Sequence, residues 1–131
     1  MNPVINFANI LSIGVGAALG AWSRWGLGLA FNAILPSFPL GTLVANLAGG
    51  LMMGVAMGLI GLGSLDSASL RLFVTTGFLG GLTTFSAFTG ESLALLHRQE
   101  YTLAALHACS HVFGALLMAA LGVAFIEYIK Q

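Results

Sequence analysis

The sequence predicts an all-α integral membrane protein with four transmembrane helices, the third broken near its middle. Three observations predict it. Hydrophobic residues make up 58% of the 131-residue chain and charged residues only 6%, where soluble domains carry about 25% charged residues. Mean hydropathy is +0.99. The apolar residues fall into four runs, each long enough for the roughly 20 residues that cross a bilayer.

The first run extends from Val4 to Leu29. Asn32 to Pro39 follows, and its prolines end the helix because proline lacks the amide a helix needs. The second run extends from Leu40 to Leu62. Gly63 to Ser69 is a polar connection holding Asp66, and Ser67 or Ser69 suits an N-cap. The third run extends from Leu70 to Leu96 and the fourth from Thr102 to Ile129, joined by a tight turn from His97 to Tyr101. No linker or low-complexity tract interrupts them, so residues 1–131 read as a single four-helix transmembrane domain. Met1-Asn2-Pro3 has no basic character and no cleavage site follows the first run, so the first helix is expected to stay in the membrane.

Small residues recur at four-residue spacing: Gly16 and Gly20 in the first run, then Ala45 and Gly49, and Gly50, Gly54 and Gly58, in the second. Such rows let helix backbones approach closely in lipid. Trp22, Trp25, Tyr101 and Tyr128 lie near span ends, where aromatic belts form. The only cations are Arg24, Arg71, Arg98 and Lys130. Four spans put Arg24 and Arg98 on one side and Arg71 and Lys130 on the other, which leaves the positive-inside rule almost no bias. The chain is therefore expected to insert both ways and to pair with an inverted copy, as an antiparallel dual-topology homodimer about a two-fold axis in the membrane plane.

Residues 77–88, Gly-Phe-Leu-Gly-Gly-Leu-Thr-Thr-Phe-Ser-Ala-Phe, hold three glycines, three hydroxyl residues and three phenylalanines. Gly80 and Gly81 weaken a helix by about 1 kcal/mol each relative to alanine. Thr83, Thr84 and Ser86 can bond the backbone groups that an opened helix leaves free. Irregular backbone survives at membrane depth only where protein buries it or water lines it, so this stretch is expected to be a broken helix at a functional site.

Polar residues inside the other spans extend that expectation. Asn46, with Thr42 one turn before it, makes a short polar stripe that either bonds a neighbouring helix or lines a pore. Glu91 lies one turn past Phe88; an intramembrane acid is a functional hypothesis by default, with pairing to Arg98 or His97 as the plainer alternative. Arg24 either draws an anion toward a vestibule or snorkels to the headgroups. Phe85 and Phe88 share a helix face, and ring edges carry the partial positive charge that attracts an anion without holding it as a full cation would. His107 and His111, four apart with Ser110 between them, suit interhelical bonding or a pore wall; a metal site needs a third ligand, which only Glu91 could supply. Cys109 is a lone cysteine in an apolar run, which excludes an intrachain disulfide. The balanced charge gives no basic patch for nucleic acid, and no nucleophile elbow, phosphate loop or HExxH motif suggests an enzyme.

The 77–88 stretch followed by Glu91 resembles the signature of the Fluc (CrcB) fluoride channels. Residues 16–25, Gly-Ala-Ala-Leu-Gly-Ala-Trp-Ser-Arg-Trp, resemble that family's first-helix motif. Residues 39–50, Pro-Leu-Gly-Thr-Leu-Val-Ala-Asn-Leu-Ala-Gly-Gly, resemble its second. The resemblance covers nearly the whole chain. It implies an antiparallel homodimer in the bacterial inner (plasma) membrane, with two pores exporting fluoride passively. It implies pore roles for Phe85, Phe88 and Asn46, a polar track from Thr42, Ser86 and Glu91, and a vestibule role for Arg24. It implies a structural Na+ on the dimer axis, held by backbone carbonyls of Gly80 and Thr83. The family pattern has a tyrosine where His107 aligns and a serine where His111 aligns; His107 and Ser110 are then the candidate donors on the fourth helix. The other small dual-topology class, the four-helix multidrug exporters, resembles this chain in size but relies on a first-helix glutamate, and the first run here contains no acid.

Overall fold

The computed structural model describes residues 5–131. Among them the regular structure is entirely helical. The first helix is Phe7–Phe31, capped by Asn6, whose side chain accepts from the Asn9 amide at 2.8 Å. The expected start at Val4 lies outside the described residues. The second helix is Leu40–Gly61, opening directly after Pro39. It is closed by Gly63, whose φ of +68° suits a residue without a Cβ. The third span comes in pieces: Ala68–Leu72, a π-helical stretch Phe73–Leu79, the turn Gly80–Leu82, and then Phe85–His97. Ser67 is its N-cap, whereas Ser69 donates to Asn9 Oδ1 at 2.6 Å and ties the span to the first helix. The fourth helix is Tyr101–Ile129.

Three segments among the described residues are long and apolar enough to cross a membrane: Leu40–Gly61, Ala68–His97 and Tyr101–Ile129. Phe7–Phe31 has the length, at 25 residues, but Asn9, Ser12, Ser23 and Arg24 dilute its apolar character and it falls outside that set. The chain is thus a multi-pass membrane protein.

The second helix packs chiefly on the fourth, and the first chiefly on the N-terminal half of the third span. Small residues make both contacts possible. A Cβ on Gly20 would lie against the Phe78 carbonyl and 2.7 Å from the Leu82 amide nitrogen. Gly50 and Gly54 face the Ala115 and Ala119 backbone in the same way. From the third span, a Cβ on Gly81 would press on the Ala17 carbonyl. Gly81 is therefore a packing residue, not the breaking point. Gly80–Leu82 is helical, and the chain opens immediately after it, at Thr83 (ψ 155°) and Thr84 (φ −153°, ψ 125°). Beside the opening lies the buried core of Ala45, Leu79 and Leu82.

Candidate functional site

The opening is best followed through the bonds its backbone exchanges. In a continuous α-helix the Thr84 N–H would bond the Gly80 carbonyl, the Phe85 N–H that of Gly81, and the Ala87 N–H that of Thr83. Here the Thr84 N–H donates to Asn46 Oδ1 at 2.8 Å. Arg24 Nε donates to the Gly81 carbonyl at 3.1 Å. The Ala87 N–H donates to Thr84 Oγ1 at 3.1 Å, which makes Thr84 the N-cap of Phe85–His97. Gly80 and Thr83 thereby give up their α-helical partners to side chains. Their carbonyls, one on the last helical turn and one on the extended backbone after it, are hard oxygen donors, a donor type that fits a hard monovalent cation such as Na+.

Asn46 is the centre of the site. Its Nδ2 donates to the Thr84 carbonyl at 3.1 Å and bonds His111 Nδ1 at 2.9 Å. One amide thus satisfies both ends of the Thr84 residue and reaches the fourth helix. Asn46, Thr83, Thr84, Phe85, Phe88 and His111 line a cavity of about 410 Å³. Asn46 stands on the cavity wall with both amide hydrogens engaged.

Glu91 forms a second polar set beside this one. Thr42 Oγ1 donates to its Oε1 at 2.5 Å, and its Oε2 is 3.3 Å from His107 Nε2. His107 Nδ1 is 3.0 Å from Ser92 Oγ. The alternative pairing of Glu91 with Arg98 or His97 is not what the molecule adopts: Arg98 pairs with Glu100 at 3.5 Å in the following turn. A chain Thr42–Glu91–His107–Ser92 therefore links the second helix, the third span and the fourth helix. His107 is fully buried. Phe88 stacks on it with centroids 5.5 Å apart and planes 11° apart, and Phe38 meets it edge-on at 5.3 Å.

Phe85 and Phe88 lie together, with centroids 5.3 Å apart. They differ in environment, because Phe85 is 77% exposed while Phe88 is held between Phe85, His107 and His111. Ser86 Oγ is 3.1 Å from Thr84 Oγ1, at the mouth of the opening. Arg24 lines a second cavity, of about 550 Å³, which Thr42 also reaches. Ser110 is half-buried next to His111 and takes no part in these hydrogen bonds among the described residues.

Sequence reasoning brought Phe85, Phe88, Thr42, Asn46, Ser86, Glu91 and His107 to one region, and the fold places them there. It missed Phe38 and Ser92, which touch His107 across the fold and carry no local signal. It weighed His111 only as the partner of His107, although the four-residue spacing already put both on one face.

A family description, CrcB-like protein, Camphor Resistance (CrcB), matches residues 11–123. The chain is 52% identical over 124 residues to a fluoride-specific ion channel FluC of Aromatoleum aromaticum, covering 95% of each chain. It is 50% identical over 113 residues to a protein of the same name in Cupriavidus pinatubonensis, covering 86% of this chain and 90% of that one. A third such relative, from Nitrosospira multiformis, is 45% identical over 122 residues, covering 93% and 95%. With its motif residues gathered at one helix opening and its sequence matched along almost its full length, the chain belongs to the CrcB family, a family of ion channels and not of enzymes.

Proposed function

We propose that this protein is a fluoride-selective passive channel that lets fluoride leave the cell across the bacterial plasma membrane. The observation that carries the reading is the opened third span, whose phenylalanine pair borders a cavity, in a chain half identical to proteins named for fluoride conduction. Fluoride is small and strongly hydrated, so a pore must replace its water with donors. Thr84 and Ser86 offer hydroxyls at the opening, and Phe85 and Phe88 offer ring edges. Such donors bind weakly enough for the ion to leave, which conduction requires. A larger halide gains less from the same donors and fits a narrow passage worse.

The working unit is an antiparallel homodimer of four-span chains, with two pores. Balanced cations support dual insertion, and the exposure of Phe85 leaves one wall of the pore for a second copy to complete. A Na+ ion on the dimer axis would be held by the Gly80 and Thr83 carbonyls of both chains, where it would neutralise their converging dipoles. Arg24, fixed on the Gly81 carbonyl, stands at the second cavity as a positive entrance for anions.

Purified protein in liposomes, with a potassium ionophore to relieve charge build-up, tests the reading. Fluoride should leave rapidly and chloride should stay. Equal retention of both ions by verified dimers would refute it.

A further inference from the structure

We infer that His111 donates to the permeating fluoride through its Nε2–H, and that Asn46 is the positioning residue that keeps the proton on that nitrogen. The inference rests on the fluoride-channel reading above.

The argument begins at the backbone. Thr84 presents one N–H and one carbonyl to Asn46. An amide side chain matches that pair in one orientation only: Oδ1 on the N–H, Nδ2 on the carbonyl. The opening therefore decides which end of Asn46 is nitrogen. The second hydrogen of Nδ2 is then directed to His111 Nδ1, at 2.9 Å. Nδ2 has no lone pair to offer, so Nδ1 must accept. A neutral imidazole carries one proton, and it is left on Nε2.

That nitrogen is buried and has no hydrogen-bond partner, in a residue only 5% exposed. Leaving a buried donor unsatisfied is costly, and such an atom calls for a functional reason. A passing anion supplies one, and fluoride is the strongest acceptor among the halides. The neutral ring donates without the fixed charge that would trap the ion. The rings packed on His111 are Phe88 and His107, with centroids at 4.9 and 4.4 Å. His111 and Phe88 both line the 410 Å³ cavity, which brings the ring to the space an ion would occupy. Asn46 has no hydrogen to spare for the ion. The Glu91 oxygens are engaged by Thr42 and His107.

The same geometry argues against the obvious rival. Glu91, His107 and His111 offer ligand atoms within 4.8 Å of one another, a spacing a divalent metal could use. Ligation through His111 Nε2 would push the proton to Nδ1, against the Asn46 N–H, and ligation through Nδ1 would displace that N–H.

The test is NMR on full-length protein in lipid with ¹⁵N-labelled histidine, assigned by comparison with His97→Gln and His107→Gln. The expected spectrum has His111 protonated on Nε2 and bare on Nδ1, and fluoride shifts the Nε2–H signal where chloride does not. Asn46→Asp, which offers only acceptors, should move the proton to Nδ1. In flux assays His111→Leu should lose about tenfold or more, the loss expected for one hydrogen bond to an ion. His111→Gln, which restores a donor near Nε2, should recover part of it. An Nδ1–H tautomer in the unmodified protein, an Nε2–H signal indifferent to fluoride, or Zn²⁺ binding that displaces the Nε2 proton would each overturn the inference. The spectra report equilibrium binding. A fluoride-dependent shift in protein that fails to conduct would uphold His111 as a fluoride donor and count against the channel reading alone.

Discussion

The two sides of the third span are built on opposite principles. Toward the first helix the contact is backbone on backbone, with Gly16, Gly20, Gly77 and Gly81 leaving no side chain between the chains. Toward the second and fourth helices side chains make the contact: Asn46 bonds the Thr84 backbone and His111, and Glu91 bonds His107. Along that glycine row the first side has no room to adjust, because backbone faces backbone there. The second consists of rotatable polar groups around a cavity. A channel needs both, a fixed wall to hold the opening in place and a movable set of donors to pass the ion.

The largest expected effect comes from breaking the fixed side. Gly20→Leu forces a side chain into the Phe78 carbonyl, and since backbone cannot step aside the cost should reach about 3 kcal/mol or more. Size-exclusion after detergent extraction should show loss of the assembled species. On the movable side, Phe88→Ile should leave assembly intact and slow fluoride efflux at least about tenfold by removing the ring edge. Unchanged efflux would take Phe88 out of the pore. Thr84→Val keeps the shape and deletes the oxygen that accepts from Ala87, at about 1 kcal/mol, read as a lower thermal midpoint. Gly14→Ala sharpens the comparison from the other end. Gly14 is on the same helix as Gly20 with open space at its Cβ position, so the change should be tolerated and gain up to about 1 kcal/mol of helix propensity. A loss comparable to that of Gly20→Leu would mean that another surface covers Gly14.

Much of this arrangement was legible in the sequence. Span limits follow from apolar length, the N-cap from a choice between Ser67 and Ser69 that the fold settles for Ser67, and the packing rows from small residues at four-residue spacing. The break was legible from its odd composition, but its place was not. Gly80 and Gly81 looked like the weak point, whereas the helix opens at Thr83 and Thr84, because an opening forms where other groups stand ready to take over the backbone bonds. Those groups are Asn46 and Arg24, which lie 38 and 57 residues away from their partners in the chain. For Glu91 a local reading offered Arg98 or His97 as ion-pair partners and His107 only as a fellow metal ligand, whereas the bond it makes is directly to His107. The tautomer of His111 depends on three elements at once and has no signature in any of them.

The π-helical stretch Phe73–Leu79 has a consequence for how the chain can change over generations. A wide turn accommodates one more residue than an α-turn would. Deleting one residue there would restore an α-turn and leave Phe85, Phe88 and Glu91 close to their present angular positions, because the wide turn already absorbs the extra residue. Deleting one residue between Phe85 and Glu91, where the helix is regular, would turn everything after it by about 100° and draw it back by about 1.5 Å, and Glu91 would leave its partners. Single-residue deletions should be tolerated in the connection at 62–67, tolerated better at 73–79 than a regular helix would allow, and intolerable at 85–91. A lineage of such proteins would thus vary in length between its helices and at the wide turn while keeping strict count from Phe85 to Glu91.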